Sequence, residues 1–303
     1  MKEKIKKLFP NFTKWVQKYK KMREYNYRKN STLEQKRKIL EDTYLERVGV
    51  PLDLDNPKRY TEKIQWTKLY GVTEEMSFLS DKYRVRDWVK NIIGEEYLFP
   101  LITAVKSFDE IDFMQLPNRF VIKSNNSSGW NIIVKDKNKL DMQSVKKKMR
   151  FWQSTNYAYY SMLEMQYESI PTMFLIEEYI TDHNDELNDY KFLCFDGVPY
   201  FCWVDTGRFA HHTRTVYDMN WVRQPWTQVY DPNEVYIEKP ENFAEMRKLA
   251  TILCKGFKHV RVDLYNVDGK IYFGEMTFTN GNGFDRIVPD EYDEILGRYF
   301  KIP

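Results

Sequence analysis

The 303-residue chain is 42% hydrophobic and 16% aromatic, enough to build packed cores, which excludes wholesale disorder. Its net charge of +3 hides an imbalance: residues 1–30 carry eleven Lys or Arg against two acids, so +9 in the arm faces −6 in the remainder. Cys194, Cys202 and Cys254 are scattered without CxxC spacing, which argues against a disulfide framework or a zinc site and fits a reducing compartment. No signal-peptide core opens the sequence and no run approaches the length of a membrane span, so it reads as cytoplasmic.

Along the basic arm, Leu8, Phe9, Phe12, Trp15, Val16 and Tyr19 are interleaved with the lysines. Such an arm either rests on anionic lipid or an acidic glycan, at the inner face of the membrane, or is a solvated amphipathic helix packed on its own protein. No nucleic-acid motif accompanies the charge. The first hundred or so residues read mostly as helices: Leu33 to Val48, Tyr60 to Tyr70 after the Asn56-Pro57 break, and Asp81 to Ile93 with Ser80 as N-cap and Gly94 as stop.

From about Phe108 the pattern changes. Arg119–Lys123 and Asn131–Lys135 are β-prone runs around a polar loop, Lys139–Trp152 is helical, and Met173–Ile180 is a strand. Two hairpins follow, Tyr190–Asp205 around Asp196-Gly197 and His259–Phe278 around Asp268-Gly269, with Phe243–Phe257 helical between them. Interspersed helices and hairpin-linked strands predict an α+β fold.

The segment richest in chemistry runs from Arg261 to Thr277. With an odd-length loop, Val267–Gly269, alternation puts Arg261, Asp263, Phe273, Glu275 and Thr277 on one face; a two-residue loop splits Asp263 from Glu275. Two carboxylates on one patch need a counter-charge, either a hard divalent cation or, on a solvated face, a cross-strand Arg–Glu pair. Lys123 is followed by small hydrogen-bonding residues through Gly129, a loop able to wrap phosphate oxygens or a plain polar turn, and not a Walker A sequence. Lys82 falls in the first turn of its helix, where a nearby anion relieves the conflict with the macrodipole. The strand Phe174–Ile180 ends in Glu177 and Glu178, where backbone groups and a carboxylate suit a purine and ribose. Arg208, His211, His212 and Arg214 form a cationic stretch suited to an anionic substrate such as a uronic acid, or to a surface loop; the adjacent histidines face opposite ways in a strand. Ser nucleophile elbows, HExxH and Cys–His nucleophile signatures are absent.

The order of these signals resembles ATP-grasp enzymes, and more closely the TupA-like (teichuronopeptide-biosynthesis) ATP-grasp family of bacterial surface polysaccharide clusters. The resemblance is carried by Asn56–Trp66, Asp81–Tyr83, Phe120–Val134, Ile176–Tyr179, Asp189–Gly197 and Val260–Phe278, and covers roughly residues 50–300. It implies an ATP-grasp fold in which two α+β subdomains clamp ATP: a small flap subdomain over 106–180 and a C-terminal subdomain with the metal site over 181–303, after a helical region over 1–105. It further implies that Lys82 and Lys123 contact phosphates and that Ser127, Ser128, Gly129 and Trp130 form the flap. Glu177, Glu178, Tyr179 and Ile180 would hold adenine, with Asp189 and Lys191 beside the ribose and phosphates. Asp263 and Glu275 would bind Mg²⁺, with Thr277 where many relatives carry Asn, and Arg261 would stabilise developing negative charge.

The expected activity is an ATP-dependent carboxylate–amine ligase that proceeds through an acyl phosphate, attaching an amino acid to a uronic acid of a capsular or other surface glycan. A sugar kinase on the same fold is the alternative. A glycosyltransferase has Asp53-Leu-Asp55 as its DxD-like letters, and a non-catalytic glycan-binding scaffold stands last.

Overall fold

The computed structural model describes residues 10–182, 187–207 and 211–302. Leu8, Phe9 and Arg208, and the side chains of Phe12 and Trp15, lie outside what is described. Helices α1 (Pro10–Asn30) and α2 (Leu33–Val48) meet at Thr32, whose hydroxyl accepts from Gln35 N while Gln35 Oε1 accepts from Thr32 N. This reciprocal cap satisfies two amides that a helix start leaves bare. Helix α1 leaves Val16, Tyr19, Met22 and Tyr27 exposed, while the other side of its end is docked: Tyr25 is buried edge-on against Tyr159, and Arg28 Nε donates to Tyr159 O at 2.6 Å. Helix α3 (Tyr60–Trp66) continues into a wider π turn, Thr67–Gly71.

The third predicted helix is corrected. Ser80 ends a separate helix, α4 (Glu74–Ser80), and α5 (Val85–Ile92) begins only after a turn. Asp81, not Ser80, caps that turn, because its carboxylate accepts from Tyr83 N at 2.9 Å and Arg84 N at 3.2 Å. Lys82 therefore sits in the turn rather than in the first helical turn, and its amide donates to Asn125 O at 3.0 Å.

Two antiparallel sheets carry the site. The first has the order β1 (Leu101–Val105), β4 (Phe174–Glu178), β2 (Phe120–Ser124), β3 (Asn131–Val134). Its first strand lies within the stretch read as helical, since its partner is some seventy residues away in sequence and local pattern cannot reveal it. Helices α6 (Met142–Ser154) and α7 (Tyr157–Tyr160) follow β3. The buried side of α6, with Val145, Met149 and Trp152, packs on Phe120, Ile122, Phe174 and Ile176 of this sheet.

The second sheet has the order β10 (Lys270–Thr277), β9 (His259–Val267), β5 (Asp189–Phe195), β6 (Val198–Thr206), β7 (Thr213–Asp218). Strand β8 (Thr227–Gln228) pairs with β11 (Ile287–Val288) as a small separate ribbon. Alternation splits the large sheet cleanly. Tyr190, Phe192, Cys202, Val204, Val260, Val262 and Leu264 face one core, covered by α8 (Phe243–Leu253) and by Val85 and Val89 of α5. The opposite face is apolar at one end, where Leu193, Phe195, Trp203 and Val216 meet Tyr60 and Ile64 of α3 and Leu296 of α9 (Glu291–Tyr299). At its other end that face is charged.

Both Asp-Gly turns form two-residue hairpins with left-handed φ at each position: 49° and 75° at Asp196-Gly197, 50° and 87° at Asp268-Gly269. The odd-length Val267–Gly269 loop is thus overturned, and by strict alternation Asp263 and Glu275 would part. A β-bulge at Gly274 restores them: Phe273 pairs with Leu264, and the next partners are Glu275 and Asp263. Phe273, expected on the carboxylate face, instead joins the apolar core. Glycine is required at the bulge because an added Cβ would lie 2.9 Å from the Tyr265 ring and 3.0 Å from Asp263 O. Gly274→Val is expected to cost about 1–3 kcal/mol through this crowding. Urea unfolding would measure it; an unchanged midpoint and slope would show that the bulge does not depend on the missing side chain.

Candidate active site

A cleft of about 300 Å³ opens between the two sheets. The charged face of the large sheet forms one wall, with Asp189, Lys191, Asp205, Arg214, Arg261, Asp263 and Glu275. Lys123, Glu177 and the loop 127–130 form the other, and Lys82 and Arg86 close the side next to Val85, Leu98 and Phe99. Six Lys or Arg side chains and five carboxylates thus line one cavity.

Cross-strand register orders the sheet wall into rows. Arg214, Asp205 and Asp189 are successive partners across β7, β6 and β5; Lys191, Asp263 and Glu275 are successive partners across β5, β9 and β10; Arg261 faces Thr277 one step on. Arg261 grips Asp263 through two bonds, Nε to Oδ1 at 2.6 Å and Nη2 to Oδ2 at 2.7 Å, and Nη2 also reaches Glu275 Oε1 at 3.2 Å and Thr277 Oγ1 at 3.1 Å. Its remaining amine donates to Asn280 Oδ1. Lys191 is buried among three acids, hydrogen-bonded to Asp189 and lying 3.3 Å from Asp263 and 3.7 Å from Asp205.

On the opposite wall, Lys123 Nζ is 2.5 Å from Glu177 Oε2, and the other carboxylate oxygen is held by Arg86 Nη1 at 3.0 Å. Lys82 Nζ donates to Ser127 O and lies 3.7 Å from Glu275 Oε2, so it joins the loop to the sheet wall. The base of the loop is anchored by Asn125, whose amide nitrogen donates to Asp81 Oδ1 at 2.9 Å and Pro171 O at 3.0 Å, and by Asn126, which donates to Ile170 O at 3.1 Å. Ser128 and Gly129 form the exposed tip. Ser127 Oγ is buried with no hydrogen-bond partner, an atom placed for an incoming acceptor or donor. Trp130 lines the cleft, but its ring is occupied: it stacks on Trp152 at 5.8 Å and meets Tyr157 edge-on at 5.0 Å, pinning the loop's end to α6 and α7.

The remaining predicted residues divide. Of the strand end, Glu177 lines the cleft, whereas Glu178 is exposed, Tyr179 lies under the Arg119 guanidinium at 4.3 Å, and Ile180 packs with Phe99, Val267 and Tyr272. His212 lines the cleft, 3.5 Å from Asp205 Oδ2 and stacked on Tyr230 at 3.8 Å, while His211 is exposed; both precede β7, so their different surroundings arise in a loop and not from strand alternation. Arg214 enters the cleft already paired, with bonds of 2.6 and 2.8 Å to Asp205 and its guanidinium between the Trp203 and Tyr230 rings. It acts as a partner of Asp205 rather than as an open cation. Arg86, Asp205, Tyr230 and Asn280 are site residues that sequence reading missed, because no motif or periodicity marks them. Among the described residues, no group of three or more His, Cys, Asp or Glu is arranged to hold a metal.

A charged cleft between two antiparallel sheets, each backed by helices, is the ATP-grasp arrangement. The chain matches the TupA-like ATPgrasp family over residues 62–301 and belongs to it. No protein of curated function matches it. Among solved structures it is similar to D-alanine–D-alanine ligase from Bacillus anthracis, at 18% identity and a TM-score of 0.42, over 74% of this chain and 65% of that one. It is also similar to an L-amino acid ligase from Bacillus licheniformis, at 12% identity and a TM-score of 0.44, over 83% of this chain and 55% of that one. The chain thus spans less than two thirds of the length of these ligases.

Glu275 allows a test of the electrostatics. Burial alone would raise its pKa, but Lys82, Arg261 and Lys191 outweigh burial and hold it at about 2 against an ordinary 4.5. A carboxyl depressed in the fold stabilises it fully above pH 4.5, and that contribution is lost as pH falls toward 2. Lys82→Met should move the Glu275 midpoint upward in carboxyl ¹³C titrations of the ligand-free protein. An unmoved midpoint would remove Lys82 from this site's electrostatics.

Proposed function

We propose that the chain is an ATP-dependent carboxylate–amine ligase. The observation that carries this reading is convergence: Lys82 and Lys123 come from different elements yet line the same cleft as Arg261, Asp263 and Glu275. A polyphosphate there exchanges for the carboxylates these cations now hold. Lys82 and Lys123 neutralise phosphate oxygens, the loop at Ser127–Gly129 offers backbone amides and the unpartnered Ser127 hydroxyl, and the apolar side at Val85, Leu98 and Phe99 beside Glu177 takes the base. Asp189 and Lys191 border the ribose and phosphate side.

The donor set fits Mg²⁺ that arrives with a nucleotide. Asp263 and Glu275 are cross-strand neighbours, and Thr277 Oγ1 lies 3.1 Å from Glu275. Two carboxylates suffice for this cation when phosphate oxygens and water complete its shell. Held by Asp263 and Glu275, Mg²⁺ would supply positive charge to neutralise the phosphates.

A carboxylate is a poor electrophile. Transfer of the γ-phosphoryl group to one of its oxygens releases ADP and gives an acyl phosphate; an amine then attacks the acyl carbon, phosphate leaves, and an amide remains. Arg261 balances charge that develops during transfer, and no protein nucleophile is needed. The acceptor end of the cleft carries His212 and Tyr230 beside the Asp205–Arg214 pair. We assign it a uronic acid of a bacterial surface polysaccharide, joined to an amino acid, on the strength of His212 at that end of the cleft and of the family. The basic segment 1–30, with Val16, Tyr19, Met22 and Tyr27 exposed, supports contact with an anionic membrane face. No described helix is long and apolar enough to cross a membrane.

Incubation with ATP, Mg²⁺, candidate uronic acids and amino acids should release phosphate only when the amine is present and yield a new amide mass. A phosphorylated sugar would replace the ligase with a kinase. Lys123→Ala and Glu275→Ala should each lower kcat/KM on the order of 100-fold, and full retention of activity in either would remove that residue from the site.

A further inference from the structure

We infer that Lys68 is a positioning residue: through Asn282 it holds the turn after β10 so that Asn280 keeps the Arg261 guanidinium aimed into the cleft. The inference rests on Arg261 acting as proposed above.

Lys68 lies on the π turn Thr67–Gly71, a wider turn of the kind found more often at functional sites than along plain helices. It is 1% exposed. Its three ammonium protons have three acceptors: Gln65 Oε1 at 3.0 Å, Met162 O at 3.1 Å and Asn282 O at 2.7 Å. The Phe284 ring centre lies 4.4 Å away. Burial draws the Lys68 pKa down to about 7 although the charge of the buried Glu164 raises it, so the geometry of these three bonds, and not a direct ion pair, is what fixes the side chain.

The far side of Asn282 is held as firmly. Its side-chain amide donates to Ser161 O and to Glu164 Oε2 at 3.3 Å, and Glu164 Oε1 accepts from Thr279 Oγ1 at 2.6 Å. Gln65 Nε2 also donates to Asn282 O at 3.0 Å. These contacts hold an unusual backbone: Gly281, Asn282 and Gly283 have φ of 57°, 56° and 66°, a run of left-handed residues that no regular element supports. A Cβ on Gly283 would come within 2.6 Å of Gln65 Nε2 and 2.8 Å of Ile64, so the turn is pressed against α3.

Asn280 belongs to this turn. Its Oδ1 accepts from Arg261 Nη1, and its Nδ2 donates to Gln228 Oε1 at 3.0 Å. The Arg261 guanidinium is thus held at two ends: one amine by Asn280, the other by Asp263, Glu275 and Thr277. A triphosphate competing with those carboxylates for the guanidinium would leave Asn280 as the anchor that keeps it in place. Lys68 reaches that anchor without touching the cleft.

The test uses the full chain. Lys68→Met should unfold cooperatively and bind MgATP within about threefold of wild type in a fluorescence titration, yet lose about tenfold or more in kcat, the pattern of a group that matters mainly in the transition state. Adding Asn280→Ala to Lys68→Met should cost little beyond the larger single loss, because both act through one turn. Retained kcat in folded Lys68→Met, or losses that simply multiply, would overturn the inference. If wild type binds MgATP but turns over no acceptor, the ligase reading fails separately. The inference is then decided by ¹⁵N relaxation of the Arg261 side chain, which should become more mobile in Lys68→Met; unchanged mobility refutes it. Should Lys68→Met not fold, Lys68→Gln keeps a polar side chain in the pocket while removing the ammonium that reaches Asn282 O, and the same readouts apply with the same expected and overturning results.

Discussion

Arg261 is the constraint around which the site is built. Asp263 and Glu275 stand opposite each other on adjacent strands, and two carboxylates side by side in a cleft repel each other unless a cation is shared. The guanidinium suits that task because its planar fork grips one carboxylate at two points while an outer amine reaches the second. Lysine could neutralise the pair but could not hold both geometries at once. The same residue also ties the large sheet to the turn after β10 through Asn280, so charge balance and backbone placement are coupled.

The charged cleft is self-compensated in the ligand-free protein. Lys82 lies between Ser127 O and Glu275, Lys123 is paired with Glu177, Lys191 sits among three aspartates, and Arg214 is taken by Asp205. Such pairing lets so many ionised groups share a small volume, since an unpaired buried charge costs far more than a paired one. It also makes binding of a polyanion an exchange of partners rather than a filling of empty positive sites. In the proposed reading Glu177 keeps a partner through that exchange: were Lys123 to turn toward a phosphate, Arg86 would remain on its other oxygen. The cations come from both sheets and from the turn before α5, so a single triphosphate touching all of them would hold these elements together.

Some of this was legible before any coordinates. The two Asp-Gly turns, the β-prone runs and the helical face of Leu33–Val48 were local signals, and each lies where its pattern placed it. Reading failed where a non-local partner decides. Ser80 looked like a cap, but Asp81 binds the turn and also receives Asn125 from the far side of the cleft. The resemblance places Trp130 in the flap, and nothing local shows that aromatic rings from α6 and α7, supplied later in the chain, pack around it.

The sequence by itself determined which chemical groups are present, their order, and the strand periodicity that sends them to one side of a sheet or the other. Hydrophobic alternation and turn residues act over a few neighbours, so they are readable locally. Tertiary structure alone decided which carboxylate meets which cation. Bulges lie in both site hairpins, one between Leu193 and Cys194 against β6 and one between Phe273 and Glu275, and each shifts the register by a residue. One residue of shift moves every later side chain to the other face. Asp205 therefore lands opposite Asp189, and Glu275 opposite Asp263, only because the packed sheet accommodates an extra residue that no local signal announces.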